Sequence, residues 1–159
     1  MKKSGEIGRL TMLFVYCSSE VLMNPLFFNA NMRKAVNAAI MRDHAVLLVQ
    51  KRDVWILPGG KPLEGEGEVA CLIREVKEEL SRAELYALTN YGTFQGTTPH
   101  AGDMLEAKVY LAGIIPEDSK PSAEITNVLW YHGQSKINLS DITQKIVDQL
   151  VHDGFVRYS

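Results

Sequence analysis

The 159-residue chain has only two cysteines and no long apolar run. Cys17 and Cys71 form neither a disulfide framework nor a C-x-x-C pair, which excludes a disulfide-rich secreted domain and a zinc ribbon. We expect both thiols to be buried and reduced, and therefore a cytoplasmic protein. No apolar stretch approaches the roughly 18 residues that a membrane-spanning helix needs, so we predict no membrane segment.

The chain also lacks an excess of basic residues. Its 17 lysines and arginines stand against 19 aspartates and glutamates, for a net charge of −2. A protein that binds nucleic acid by neutralising phosphates normally carries a basic excess, so we expect no nucleic-acid partner. Hydrophobic residues make up 46% and charged residues 23% of the chain, as in an ordinary globular domain with one core.

Residues 1–32 precede the regular pattern and are predicted to be an N-terminal extension of a main domain at residues 33–159. The apolar stretch 10–17 follows three basic residues and loosely resembles a signal peptide. It is short and lacks a small-residue cleavage site, so we favour an added strand. A free strand edge invites pairing with a second copy, which predicts a homodimer. The start of the protein is left open between Met1, Met23 and Met32.

From residue 34 onward, strand and helix patterns follow one another without regular βαβ repeats. Alternating or apolar runs predict strands at residues 35–41, 45–51, 54–57, 85–88, 91–95, 105–115 and 128–131. Helical periodicity predicts a helix over residues 66–80 and a second one that Ser140 caps and Gly154 ends. This order predicts an α+β fold, an α/β/α sandwich around a mixed β-sheet.

The predicted helix 66–80 carries three carboxylates on one side. Its apolar stripe consists of Val69, Ile73, Val76 and Leu80. At 100° per residue, Glu75, Glu78 and Glu79 fall within an arc of about 100° that points away from this stripe. Solvent could relieve their repulsion on a plain acidic surface, with Arg74 paired to Glu78. A divalent cation such as Mg²⁺, which prefers oxygen ligands, would relieve it better.

A double-glycine loop lies just upstream of this helix, where it lets the backbone approach a ligand closely. Residues 58–82, PGGKPLEGEGEVACLIREVKEELSR, resemble the Nudix box. The matching positions are Gly60, Glu66, Arg74, Glu75, Val76, Glu78 and Glu79, at the spacing of that box. Ser81 and Arg82 depart from it, because the family has glycine and an aliphatic residue there. We expect an altered helix end at these positions rather than lost chemistry.

The resemblance implies a Nudix fold over about residues 34–152 and a metal-dependent pyrophosphohydrolase. Such a hydrolase cleaves a nucleoside diphosphate linked to a group X, such as ADP-ribose, or a nucleoside triphosphate. It uses Mg²⁺, for which Mn²⁺ can substitute. The implied catalytic residues are Glu75, Glu78 and Arg74; the implied metal ligands are Glu75, Glu78, Glu79 and the carbonyl of Gly59; Gly60 and Glu66 support the phosphate side of the box. Arg74 would orient the carboxylates, and Glu66 would be its partner or a weaker ligand.

The general base is left open between Glu75 and a carboxylate from a later loop. The loop at residues 97–103 and the strand after it offer Asp103 and Glu106, and His100 is a weak candidate for binding substrate. A single histidine in a loop is more often solvated, and we expect Glu124 to be structural. Two alternatives remain open, a non-catalytic Nudix domain that senses a nucleotide or binds a protein, and a plain acidic helix without a metal.

Overall fold

The computed structural model describes residues 32–133 and 135–158. The strand predicted at residues 10–17, Cys17 and the alternative starts at Met1 and Met23 lie outside the described residues. The N-terminal extension and the homodimer therefore stay predictions. Within the described part of the chain, neither helix is long and apolar enough to cross a membrane.

The described chain contains nine strands and two helices. In chain order they are β1 (Arg33–Arg42), β2 (Ala45–Lys51), β3 (Val54–Ile56), β4 (Gly59–Gly60), α1 (Glu68–Glu79), β5 (Leu80–Ser81), β6 (Glu84–Thr97), β7 (Met104–Ile115), β8 (Lys120–Pro121), β9 (Ile125–Tyr131) and α2 (Asp141–His152). The two strands predicted at residues 85–88 and 91–95 are parts of the single strand β6. Register shifts interrupt its pairing with β7, and these irregularities broke the alternating pattern in the sequence.

Seven strands form one mixed sheet with the order β3-β2-β1-β7-β6, to which β4 adds beside β1 and β9 beside β2. β1 and β7 are parallel, and their register begins at Arg33 opposite Leu105. The other pairs in this sheet are antiparallel. A second, two-stranded sheet joins β5 to β8. The predicted α+β fold with a mixed sheet is thereby confirmed.

One helix covers each face of the large sheet. Ala38 and Ile40 of β1 pack with α1, whereas Ala39, which lies between them, packs with α2. Since successive side chains of a strand point to opposite faces, β1 is buried on both sides. The same alternation continues in β2, where Leu47 faces α1 and Leu48 faces α2. The core therefore consists of two layers with the sheet between them.

The predicted core face of α1 is wrong in part. Val69 and Ile73 are 44% and 37% exposed. The buried residues of the helix are Cys71, Leu72, Val76 and Glu79. Their common direction lies about 80° around the helix from Val69, which is the direction of Glu79 itself. An apolar pattern cannot include a buried carboxyl group, so the periodicity placed the core face too far toward Val69 and Ile73, whereas Val76 and Leu80 of the predicted stripe are buried.

The ends of the helices follow the sequence signals more closely. α1 ends at Glu79, and the N–H of the extended residue Leu80 still donates to the Val76 carbonyl. Arg82, one of the two residues that depart from the box, then takes a left-handed φ of 63°, and the altered helix end without lost chemistry stays a prediction. Ser140 caps α2 as predicted, because its hydroxyl accepts the Thr143 N–H.

Candidate active site

The double-glycine loop is held against β1, where β4 pairs with Val36 and Asn37. The Asn37 amide donates to the Leu57 carbonyl at 3.2 Å, and the Ala38 N–H donates to the Pro58 carbonyl at 2.9 Å. Gly59 has φ of 136°, and a Cβ there would overlap the Val36 carbonyl oxygen. Glycine is therefore required at this position, both by the backbone conformation and by the close approach of β1.

Glu79 is the buried carboxyl group of the site. Its side chain is on the core face of α1, it is only 5% exposed, and its Oε2 accepts the Gly59 N–H at 3.0 Å. Burial raises the pKa of Glu79 from 4.5 to about 8. The Gly59 hydrogen bond lowers that pKa in part, the charges of Glu75 and Glu124 raise it, and the Lys51 ammonium lowers it. In this structure the metal-free carboxyl group is therefore largely protonated at neutral pH.

Arg74 connects the other box carboxylates. Its Nε and Nη2 donate to the two carboxylate oxygens of Glu66, both at 2.8 Å, and its Nη1 donates to Glu75 Oε1 at 2.8 Å. The same Nη1 lies 3.6 Å from Glu78 Oε1. Arg74, together with the Leu63 N–H, lowers the pKa of Glu66 to about 2, and the two carboxylates raise the pKa of Arg74. This two-pronged contact fixes the guanidinium plane beside the box.

The three predicted metal ligands of α1 have different surroundings. Glu79 is buried, Glu75 is 19% exposed and Glu78 is 57% exposed. A Cβ at Gly60 would overlap the Glu75 carboxyl group, so the loop and the helix are in contact at this point. The loop therefore brings Gly59 to Glu79 and Gly60 to Glu75.

The donor set suits a hard divalent cation, although the side chains are not arranged around one. Among the described residues, no three histidine, cysteine, aspartate or glutamate side chains are close enough to hold a metal ion as they stand. Arg74 neutralises Glu66 and Glu75, but in the described chain Glu79 has no ion pair. A buried carboxyl group without a cation, beside a second carboxylate, is what a hard metal ion would stabilise.

A pair that the sequence analysis missed lies next to this centre. Lys51, the last residue of β2, forms an ion pair with Glu124, and both charges act on Glu79. Glu124 is 45 positions beyond Glu79 in the sequence, and no spacing rule relates the two. Only the pairing of β9 with β2, where Ile125 lies opposite Lys51, brings this segment to the box.

The candidates outside the box lie elsewhere. Asp103 forms an ion pair with Arg33 at 2.6 Å. Glu106 is partly buried on β7, where it lies opposite Lys34 of β1 and Gln95 of β6. His100 is exposed, and it borders a cavity of about 380 Å³ lined by residues 53–54, 97–100 and 138–141. No box residue lines this cavity, which opens at the N-terminal end of α2.

A second set of polar contacts, also missed from the sequence, holds the beginning of α1. Glu68 Oε2 accepts the Tyr110 hydroxyl at 2.6 Å and the Lys108 ammonium at 2.7 Å. Both partners lie on β7, and their contacts lower the pKa of Glu68. The first residue of the helix is thus attached to the sheet, while Glu79 at its last residue is attached to the loop.

A profile described as NUDIX domain matches residues 31–132. No curated protein matches the chain.

Among solved structures, the MutT NUDIX hydrolase from Burkholderia pseudomallei is 25% identical, with a TM-score of 0.67 over 76% of this chain and 99% of that one. A nudix hydrolase family member from Chromobacterium violaceum is 25% identical, with a TM-score of 0.63 over 77% of this chain and 79% of that one. The NUDIX domain of Shewanella oneidensis NrtR, complexed with ADP ribose, is 20% identical, with a TM-score of 0.59 over 82% of this chain and 92% of that one.

Proposed function

We propose that this chain, which belongs to the NUDIX domain family and is a Nudix pyrophosphohydrolase, cleaves the pyrophosphate bond of a nucleoside diphosphate linked to a group X in a reaction that requires Mg²⁺. The observation that carries this proposal is the buried Glu79 carboxyl group, held by the Gly59 N–H beside Glu75. In the reaction a water oxygen forms a bond to one phosphorus, and the bridging P–O bond breaks. The products are a nucleoside monophosphate and phosphorylated X.

Mg²⁺ bound here would neutralise the diphosphate and lower the pKa of a coordinated water. The residues that would hold the ion are Glu75, Glu78, Glu79 and the Gly59 carbonyl. Their oxygens are of the kind that Mg²⁺ prefers, and Mn²⁺ accepts the same set. For this, Glu78, which is 57% exposed, and Glu75, which is 19% exposed and contacts Arg74, have to turn toward Glu79.

Arg74 acts as the positioning residue of the centre. Its hydrogen bonds to Glu66 and Glu75 orient the Glu75 carboxylate. Glu75 is then available either as a ligand or as the base that accepts the proton of the attacking water. Glu66, which is engaged through both oxygens, serves as the anchor of Arg74 rather than as a ligand.

If the general base comes from a loop after the box, Glu124 is a better candidate than Asp103. The charge of Glu124 acts on Glu79, whereas Asp103 is occupied by Arg33. Glu106 stays a weaker candidate, because its partners across the strands are Lys34 and Gln95.

A candidate place for the nucleoside or the group X is a cavity that no box residue lines. The cavity of about 380 Å³ at the N-terminal end of α2 is large enough for a base or a sugar, and His100 lines it. One similar NUDIX structure contains ADP ribose, which makes this compound the first substrate to test. Nucleoside triphosphates are the second class.

The test is hydrolysis of a substrate panel by the full chain with Mg²⁺, with Mn²⁺ and with EDTA. The panel contains ADP-ribose, other nucleotide sugars, dinucleoside polyphosphates, and the nucleoside triphosphates with their 8-oxo forms. Phosphatase added afterwards releases phosphate from AMP and ribose 5-phosphate but not from intact ADP-ribose. Inorganic pyrophosphatase reports pyrophosphate from triphosphates.

Two variants accompany the wild-type chain. Glu79→Gln should reduce turnover by at least about a hundredfold, because a neutral amide cannot supply a carboxylate ligand. Glu84→Gln changes an exposed glutamate on β6 and should leave turnover unchanged. Equal turnover of the wild-type chain and Glu79→Gln would refute the proposed centre. Nucleotide binding without hydrolysis across the panel would support the non-catalytic alternative.

A further inference from the structure

The turn that carries Glu124 is attached to the last residue of the box helix. The Ser122 N–H donates to the Glu79 carbonyl at 2.8 Å, and the Ile125 N–H closes the turn onto the Ser122 carbonyl at 3.1 Å. Just before it, β8 pairs with β5, with Pro121 opposite Leu80. The backbone of this turn is therefore fixed relative to the end of α1.

Lys51 approaches the same place from β2. Its ammonium pairs with Glu124, and the two side chains are 31% and 58% exposed. An ion pair with this exposure contributes little to stability by itself. Its position is the informative feature, because the turn that carries Glu124 is hydrogen-bonded to the backbone of Glu79, whose side chain is buried.

The carboxylates at this centre differ in whether a cationic side chain contacts them. Glu66 and Glu75 contact Arg74, and Glu124 contacts Lys51. Glu79 has the Gly59 N–H as its polar contact, and the Lys51 ammonium is the cation whose charge acts on it. A divalent ion held by Glu79 would therefore enter a region where Lys51 already supplies positive charge.

We propose that Lys51 is the counter-cation of the metal-free carboxylate centre, in electrostatic competition with the divalent ion that binds there. Lys51 neutralises Glu124 beside Glu79 and so keeps the empty centre from accumulating negative charge. The same ammonium repels an incoming cation, which weakens metal binding. Lys51 is thus a positioning residue that sets the metal affinity. This inference rests on the proposed function, since it requires that the centre binds a divalent ion.

The test is calorimetric titration of Mn²⁺ into the full chain after treatment with EDTA. Lys51→Met removes the ammonium but keeps an unbranched side chain, and it should lower the Kd for Mn²⁺ about tenfold, since a charge next to a divalent ion is removed at an intermediate dielectric. Lys51→Arg keeps the charge and should bind Mn²⁺ like the wild-type chain.

Lys145→Met is the matched control. Lys145 also forms one exposed ion pair, with Asp141 at 3.1 Å on α2, and its loss should leave the Kd for Mn²⁺ unchanged. Lys51→Gln serves in the same titration if Lys51→Met does not fold. A Kd for Lys51→Met that equals or exceeds the wild-type value would overturn the inference while leaving the proposed function intact. If the wild-type chain binds no Mn²⁺, the proposed metal-dependent function fails, and the inference fails with it.

Discussion

Replacing Glu79 by glutamine should make the metal-free protein more stable at neutral and alkaline pH. In the unfolded chain this carboxyl group ionises at about pH 4.5, whereas in the folded chain its pKa is raised to about 8. Between these values the folded state holds a proton that the unfolded state has lost. The free energy of unfolding therefore decreases as the pH rises through this range.

The magnitude follows from the size of this pKa difference. One pKa unit corresponds to about 1.4 kcal/mol, so ionising Glu79 in the fold costs about 5 kcal/mol above pH 8, of which about 3 kcal/mol is already lost at pH 7. Glutamine has nearly the same shape, can still accept the Gly59 N–H, and does not ionise. In EDTA, Glu79→Gln should therefore exceed the wild-type chain by about 3 kcal/mol at pH 7.

Urea denaturation of both proteins at pH 5 and pH 8, with EDTA and with saturating Mg²⁺, measures this effect. At a concentration a hundred times its Kd, Mg²⁺ should raise the free energy of unfolding of the wild-type chain by roughly 2–3 kcal/mol. The free energy of unfolding of Glu79→Gln should not change with Mg²⁺. Glu84→Gln, which changes an exposed glutamate outside the proposed centre, is the control, and its stability should follow that of the wild-type chain under all four conditions. If the wild-type chain and Glu79→Gln lose stability in parallel from pH 5 to pH 8, Glu79 is ionised in the fold and the reasoning fails.

Three further outcomes follow from the contacts of the box. Gly60→Ala should reduce turnover at least about tenfold, because its Cβ would displace the Glu75 carboxyl group. Gly67→Ala is the control and should not reduce turnover, because its Cβ would meet nothing within 4 Å. Steady-state kinetics of the two variants measures the difference. Arg74→Lys should lower the free energy of unfolding by about 1–3 kcal/mol and reduce turnover, because an ammonium cannot repeat the two-pronged contact with Glu66. Urea denaturation measures the loss of stability, and the turnover assay measures the loss of activity. Cys71 should react slowly with a thiol reagent in the native state at pH 8, because burial raises its pKa to about 11; a rate equal to that of the unfolded chain would contradict the packing of α1.

The sequence predicted those elements of the fold that depend on residues close together in the chain. The strand pattern marked β1 and β2 because apolar runs between turn residues are a local signal. Ser140 was identified as a cap because a hydroxyl before a periodic run is also local. The box residues could be placed on a helix beyond a glycine loop because their spacing is fixed within 20 positions.

What could not be predicted depends on pairing between distant strands. The contact of Lys51 with Glu124 requires that β9 lies beside β2, and no property of residues 51 and 124 alone specifies that neighbour. The cavity beside His100 likewise combines segments around residues 53, 100 and 140. Such contacts arise from the order of strands in the sheet, which periodicity does not encode.

The one clear error, the core face of α1, bears on function. A plain acidic surface requires every carboxylate of the helix to be solvated, and Glu78 alone meets that requirement well, being 57% exposed. Glu79 lies on the buried face at a cost of several kcal/mol once it ionises, with a single backbone N–H to offset it. A strongly perturbed carboxyl group that faces a glycine loop is typical of a site in which another charge arrives during function. The apolar pattern failed at Glu79 because a carboxyl group is not an apolar residue, and its burial on the core face fits the cation site that we propose.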